Sequence, residues 1–147
     1  MSDRELAFID GVFVFETVMR VRNTEIAAGQ HLTLESLTAL LAEARERFLY
    51  SKGIKEINTD SQGLIVDHLQ LSFSSRVRAR EELLFEVGIE RLSNDGGDIA
   101  TKITRMYDGS LVAKARQHFI NYDFRLNKAT TFNSAIKAAL DPHPFVL

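Results

Sequence analysis

The chain has no cysteine, and its only two prolines lie near the end. Without cysteine there is no disulfide, no thiolate metal ligand and no cysteine nucleophile. No motif for a metal or a cofactor is present either, and we expect neither. The formal net charge is only −2 over 147 residues. A global positive field that would recruit nucleic acid or an anionic membrane is therefore excluded.

Long apolar runs are also missing, and the chain begins M-S-D-R-E-L, with acids where a signal peptide carries bases. We therefore expect no targeting segment and a soluble, cytoplasmic protein that has neither nucleic acid nor membrane as a partner. The length suits one domain with a real core. We expect residues 1–147 to form a single domain, with a core over about residues 12–123 and a tail over residues 124–147.

One strongly amphipathic stretch follows a short turn that contains Gly29, a residue suited to a positive φ. Thr33 can cap the first N–H groups of a helix, and Leu32 and Leu37 stand at the positions of a hydrophobic staple. Gly53 is a natural helix stop. The pattern predicts one long helix over about residues 34–52, with an apolar stripe formed by Leu34, Leu37, Leu41, Ala44 and Phe48.

Strand patterns fill most of the remaining chain, over residues 12–22, 64–80, 83–89, 99–107 and 111–122. The long strand 64–80 is expected to contain a bend or a bulge near Ser74 and Ser75, and to place Asp67 on an apolar face with Ile65 and Leu69. A short helix is predicted over residues 131–140. The composition of elements predicts an α+β fold in which a curved antiparallel five-stranded sheet wraps around one long helix.

Two sequence segments at a fixed separation carry a family resemblance. V-R-N-T-E-I-A-A-G-Q-H-L covers residues 21–32, and E-A-R-E-R-F-L covers residues 43–49, before Gly53. Together they resemble the hotdog-fold acyl-CoA thioesterases of the 4-hydroxybenzoyl-CoA thioesterase type, which show V-R-[YF]-x-E-T-D-x-x-G-H-[VL] and an E-A-R helix. A subgroup reads E-I-N-Y-G-G-H-L, and its matches here are Glu25, Ile26, Gly29, His31 and Leu32. The resemblance covers about residues 13–123.

The resemblance implies a hotdog fold and hydrolysis of an acyl thioester to a free acid and CoA. The substrate would be an acyl-CoA or an acyl-carrier-protein thioester. The family forms homodimers, often paired into tetramers, with sites at the dimer interface. Ala27 stands where the main branch carries its catalytic aspartate, and Gln30 replaces a glycine. The alternative is therefore a hotdog protein that binds acyl thioesters without cleaving them, or that is purely structural.

Thioester hydrolysis needs hydrogen-bond donors for an oxyanion and a base that activates water. The free N–H groups at a helix N-terminus are suitable donors, which points to Thr33, Leu34 and Glu35. His31 would orient the thioester or donate to its carbonyl, or else it packs in the turn. Dehydratase chemistry would need a histidine–carboxylate pair, and no motif for one is present.

Three glutamates are candidates for the base, and each also has a structural explanation. Glu43 would be met by a partner subunit, or it forms an i,i+4 ion pair with Arg47. Glu25 would act beside His31, or it bonds nearby N–H groups of the turn. Glu35 would act at the helix start, or it only complements the dipole.

A row of basic residues follows the long strand. Arg76, Arg78 and Arg80 would bind the phosphates of CoA. Alternatively they are basic residues that alternate along a solvated strand face.

Overall fold

The computed structural model describes residues 6–9, 11–27, 29–55 and 57–141. After the first strand, the 3₁₀ turn Asn23–Glu25 leads into the loop before the long helix. The strands and helices are β1 (Phe15–Arg20), α1 (Leu34–Ser51), β2 (Gln62–Phe73), β3 (Glu82–Leu92), β4 (Gly96–Arg105), β5 (Leu111–Asp123), β6 (Lys128–Ala129) and α2 (Ser134–Leu140). In the described part of the chain, no helix combines the length and hydrophobicity needed to cross a bilayer.

The strands pair antiparallel in the order β1-β3-β4-β5-β2, and β6 adds to β5. Helix α1 packs on the inner face of this sheet, and its Phe48 belongs to one core cluster with Phe85 and Phe119, which are all fully buried. The arrangement confirms the predicted hotdog fold. Strands β1 and β2 form the two edges of the sheet.

Helix α1 begins and ends at the predicted signals. The Thr33 hydroxyl oxygen accepts a hydrogen bond from the Ser36 N–H at 3.0 Å, and Gly53 has a φ of 75° just after the helix. These contacts satisfy N–H groups that would otherwise lack partners and let the chain leave the helix without strain. The buried stripe comprises Leu37, Leu40, Leu41, Ala44, Phe48 and Leu49. The prediction was wrong for Leu34, which is 52% exposed at the start of the helix.

The prediction for the long strand after α1 is wrong in two respects. Strand β2 ends at Phe73, because the N–H groups of Ser74 and Ser75 both turn to the Val112 carbonyl. A register shift between Val66 and His68 interrupts the pairing with β5. This bulge changes the side-chain alternation, so that Asp67 does not share a face with Leu69.

The three arginines after β2 therefore do not line one strand face. Arg78 forms an isolated bridge with His31, and Arg80 takes a left-handed conformation with a φ of 74°. The turn before α1 also differs from prediction, since the positive φ of 64° belongs to Gln30 and not to Gly29. Glycine was therefore not required for this turn.

The tail packs against the hotdog core. Asn133 caps α2 by accepting from the Ile136 N–H at 2.8 Å, and Leu140 is fully buried. The Phe132 ring lies 6.3 Å from the Phe119 ring, centroid to centroid. The predicted short helix is confirmed, but it begins at Ser134 after the Asn133 cap and not at Thr131. Strand β6 was not predicted. Residues 142–147 of the predicted tail lie outside the described residues.

Candidate active site

A cleft of about 540 Å³ opens at the N-terminus of α1, where the loop before the helix meets the end of β2. The loop supplies one wall and the chain leaving β2 supplies the other. The lining residues are Ala27, Gly29, His31, Leu32, Thr33, Phe73, Ser74, Ser75 and Arg76. Loop and helix N-terminus thus meet as the sequence predicted, and the second wall comes from a segment that sequence reasoning treated as strand.

Backbone hydrogen bonds hold the loop wall in place. The Ala27 N–H donates to the His31 carbonyl at 3.0 Å, and the Gln30 N–H donates to the Ala27 carbonyl at 2.9 Å. The Leu32 N–H donates to the Val77 carbonyl at 2.6 Å, which ties the loop to the chain after β2. His31 is therefore carried on a closed turn that is fixed against the second wall.

The start of α1 presents backbone donors beside this turn. The Thr33 N–H is already used, because it donates to the Glu25 carbonyl at 3.2 Å. The Ser36 N–H donates to the Thr33 hydroxyl. Within the described chain, the N–H groups of Leu34 and Glu35 have no acceptor. Two of the three predicted oxyanion residues thus offer a free N–H group at the positive end of the helix dipole.

His31 is half-buried, and its imidazole has no hydrogen-bond partner among the residues that the structure describes. A packed, structural histidine would normally have its ring nitrogens satisfied. The imidazole is therefore available to a ligand in the cleft.

The second wall contributes polar groups that sequence reasoning missed or misplaced. The exposed Ser74 was recognised only as a bend. Ser75 is engaged, since its hydroxyl donates to the Leu111 carbonyl and accepts from Arg105. Of the three predicted arginines only Arg76 lines the cleft. The Arg78 N–H instead donates to Glu81 at 2.6 Å in a local turn.

Two of the candidate carboxylates have structural partners. Glu25 accepts from the Arg22 N–H at 2.7 Å and from its guanidinium at 3.2 Å, and its side chain is 8% exposed. Glu43 accepts from Arg47 Nε at 2.8 Å, as the i,i+4 alternative predicted. Both line a different groove, between β1 and α1. The structure of one chain does not bring them to His31.

Glu35 is the remaining candidate carboxylate. It is exposed on the first turn of α1, and no ion pair or hydrogen bond of its side chain occurs within the described ranges. Ala27 lines the cleft itself, and no described carboxylate lines it. Any base from this chain must therefore reach the cleft from its rim. Along the chain Glu25 and Glu35 are equally near, each two residues from a lining residue, but only Glu35 has no side-chain partner within the described ranges.

Asp67, which the sequence placed on an apolar face, lies elsewhere. The bulge turns it to the outer face of the sheet, where its Oδ1 is 2.6 Å from Nδ1 of His118. This pair satisfies the carboxylate and removes Asp67 from the cleft. In the described part of the chain, no group of three or more histidine and acidic side chains is placed to hold a metal ion.

A family model described as the thioesterase-like superfamily matches residues 21–140. No curated protein matches the chain. Among solved structures, a 1,4-dihydroxy-2-naphthoyl-CoA thioesterase from Synechocystis is similar, with 17% identity, a TM-score of 0.79, and coverage of 86% of this chain and 94% of that one.

A second similar structure is a hypothetical protein from Staphylococcus aureus in complex with CoA. It has 15% identity, a TM-score of 0.80, and coverage of 92% of this chain and 85% of the other. A gentisyl-coenzyme A thioesterase has 13% identity and a TM-score of 0.77, covering 86% and 100%. At identities this low, the structural similarity shows the fold and nothing finer.

Proposed function

Since the chain belongs to the thioesterase-like superfamily, we propose that its cleft binds an acyl-CoA thioester and hydrolyses it to a free acid and CoA. The observation that carries this proposal is the pair of free N–H groups on Leu34 and Glu35 beside the unpartnered His31. Donors fixed before the reaction stabilise the charge that develops on a carbonyl oxygen.

The thioester carbonyl oxygen binds to the Leu34 and Glu35 N–H groups, and His31 donates to the thioester or orients it. A water molecule attacks the carbonyl carbon while a carboxylate takes its proton. The tetrahedral intermediate then collapses, the C–S bond breaks, and CoA leaves as a thiolate that takes up a proton. Arg76, whose guanidinium has no carboxylate partner among the described side chains, binds a phosphate of CoA.

Glu35 is the carboxylate that the geometry of one chain favours as the base. It lies on the same helical turn as the proposed oxyanion donors, and it has no competing partner in the described structure. Glu43 requires a partner subunit to carry it to the cleft and release from Arg47. Glu25 would have to give up two hydrogen bonds to Arg22.

We further propose that the site is completed in a homodimer, in which β2 pairs with its equivalent. Strand β2 is an edge strand, and its inner side chains are only partly covered, with Leu69 38% exposed. An uncovered edge with apolar side chains tends to pair with another strand. The cleft lies at the end of β2, so a partner would lie next to it, and two dimers could form a tetramer.

The proposed activity is tested by following free thiol release over a panel of acyl-CoA and acyl-carrier-protein thioesters. We expect turnover of at least one acyl-CoA, and a loss of at least tenfold in kcat for Glu35→Gln, as is typical for loss of a general base. Glu43→Gln, Glu25→Gln and the surface control Glu16→Gln should stay within about threefold of the original kcat.

Other outcomes identify the alternatives. A loss of kcat that is confined to Glu43→Gln would identify Glu43 of the partner subunit as the base. If no thioester is turned over but thioesters bind tightly, the protein binds acyl thioesters without hydrolysing them. The alanine at position 27, in place of an aspartate, favours this alternative. Absence of both turnover and binding would refute the proposal.

A further inference from the structure

A polar pair lies under α1 on the inner face of the sheet, away from the cleft. Arg45 on α1 donates from Nη1 to the side-chain carbonyl of Gln117 on β5. Gln117 is only 2% exposed, and its Nε2 has no partner within the described residues. A buried amide donor without an acceptor is destabilising, because its hydrogen bond to water is lost and not replaced. An acceptor supplied by a ligand would satisfy this donor.

Arg45 adds unused donors and positive charge at the same place. Its side chain is 21% exposed, and its ion pair with Glu46 is long, at 3.7 Å from Nε to Oε1. Burial lowers the pKa of the Arg45 guanidinium, an effect that the exposed Glu46 only partly offsets. A guanidinium has five N–H donors, so several remain for an anionic group.

A strip of apolar side chains joins this pair to the cleft. On β2, Leu69 and Phe73 pair with Gln117 and Ala113 of β5, and the residues between them, Leu71 and Ala115, pair likewise. Paired residues point to the same face of a sheet. Leu69 is 38% exposed, and Phe73 also lines the cleft. The strip therefore begins at the cleft and ends next to Gln117.

The distance from the cleft to the polar pair is similar whether it is measured along β2 or along α1. Leu69 lies four residues before Phe73, which is about 13 Å along a strand. Arg45 lies eleven residues after Leu34, which is about 16 Å along a helix. An acyl group whose thioester carbonyl sits at the Leu34 N–H would thus reach the polar pair only with its far end.

We propose that Arg45 and Gln117 bind a carboxylate at the far end of the acyl group, so that the substrates are CoA thioesters of dicarboxylic acids. This inference rests on the proposed function, because it assumes that the thioester lies in the cleft. The guanidinium and the Gln117 Nε2 supply donors for the two oxygens of one carboxylate. The apolar strip contacts the chain between the carboxylate and the thioester.

The test measures binding without hydrolysis. The ligands are CoA ketone analogues, in which a methylene replaces the thioester sulfur, with chains of equal length that end in a carboxylate or a methyl group. Calorimetry gives the Kd of each for the original protein, Arg45→Met, Gln117→Leu and the outer-face control Arg91→Met. Melting temperatures report whether each variant folds. If Arg45→Met does not fold, Arg45→Lys replaces it in the binding measurements.

We expect the original protein and Arg91→Met to bind the carboxylate-ended analogue at least tenfold more tightly than its methyl-ended match. In Arg45→Met the two analogues should bind with equal affinity. In Gln117→Leu the ratio of the two Kd values should fall at least threefold. The Kd of the methyl-ended analogue should be unchanged in both variants. Equal affinity of the original protein for both analogues would overturn the inference, as would a loss of both affinities in Arg45→Met.

Hydrolysis of the matching thioesters, measured in parallel, separates this inference from the proposed function. A carboxylate preference without any thiol release would support the polar pair and refute hydrolysis. Thiol release from both thioesters, with no preference in binding, would leave hydrolysis standing and refute the role of Arg45 and Gln117.

Discussion

At the scale of single residues, the candidate site combines side chains that sequence reasoning found with others that it could not place. His31 and the Thr33 cap were predictable because both depend on local sequence. Whether the Leu34 and Glu35 N–H groups have acceptors depends on the complete fold, so it could not be predicted from local sequence. The hydrogen bond from the Thr33 N–H to the Glu25 carbonyl could be known only from the structure.

The Thr33 cap gives a first prediction at this scale. Thr33→Ala removes the acceptor of the Ser36 N–H and should lower the free energy of unfolding by about 1 kcal/mol. Thr38→Ala is the matched control, since that exposed hydroxyl only donates to the Leu34 carbonyl within α1 and should change stability by less than about 0.5 kcal/mol. Urea unfolding of both variants measures the difference; equal stabilities would show that the cap contributes nothing.

Asp123 gives a pH prediction. The backbone N–H of Leu126, together with that of Arg125, lowers the pKa of the Asp123 carboxyl below its ordinary value of 3.8. A lowered folded-state pKa stabilises the protein at pH values above the unfolded-state pKa. That stability is lost as the pH falls from about 4 through the folded-state pKa.

Asp123→Asn should therefore be less stable than the original protein at pH 6, and the difference should shrink as the pH falls below about 4. Unfolding by denaturant at a series of pH values measures this. A difference that is the same at pH 6 and pH 3 would show that ionisation of Asp123 does not stabilise the turn after β5.

At the scale of elements, the sequence predicted which elements exist better than where they end. Helix α1 was correct to within a residue at its C-terminal end, since its cap and its stop lie where the sequence placed them. Strand β2 was predicted too long because the apolar alternation continues past Ser75 through Val77. Backbone bonds to Val112 end the strand there, and these bonds are contacts between residues far apart in the chain.

The bulge in β2 shows the same limit. Asp67 and His118 are far apart in sequence, and their contact follows from one register shift that no local pattern reveals. A shift of one residue moves every later side chain to the other face. The error in placing Asp67 therefore came from counting an unbroken alternation.

The contribution of helix α2 to stability can be tested at Leu140. Leu140 is fully buried in the main core although it lies in the tail. Leu140→Ala should lower the free energy of unfolding by about 2–5 kcal/mol, through lost burial and the cavity left behind. Leu126→Ala, at a side chain that is 61% exposed, should have little effect. If denaturant unfolding shows no difference between the two, α2 is not part of the folded core.

At the scale of the whole molecule, the open edge of β2 is the feature that one chain does not explain. Its inner side chains belong to the core but are only partly covered. The family resemblance implied a homodimer, but the sequence did not show which edge would be free, because strand order is a property of the complete fold. The structure leaves both β1 and β2 at edges, and only β2 borders the cleft.

The dimer prediction follows from this edge. Light scattering at micromolar concentration should give the mass of a dimer or a tetramer of the 16.6 kDa chain. Leu69→Asp places a charge among the uncovered side chains of β2 and should shift the protein toward the monomer. Leu126→Asp changes an exposed residue outside β2 and should leave the mass unchanged. A monomeric original protein would contradict dimerisation.

The proposed reaction requires the thioester carbonyl to lie at the start of α1. A crystal structure with an acyl-CoA ketone analogue tests it most directly. We predict that the ketone oxygen lies within about 3.2 Å of the Leu34 or Glu35 backbone nitrogen, which is hydrogen-bond distance, with His31 against the ligand. A ligand bound instead in the groove between β1 and α1, with this helix start unoccupied, would show that the oxyanion donors lie elsewhere.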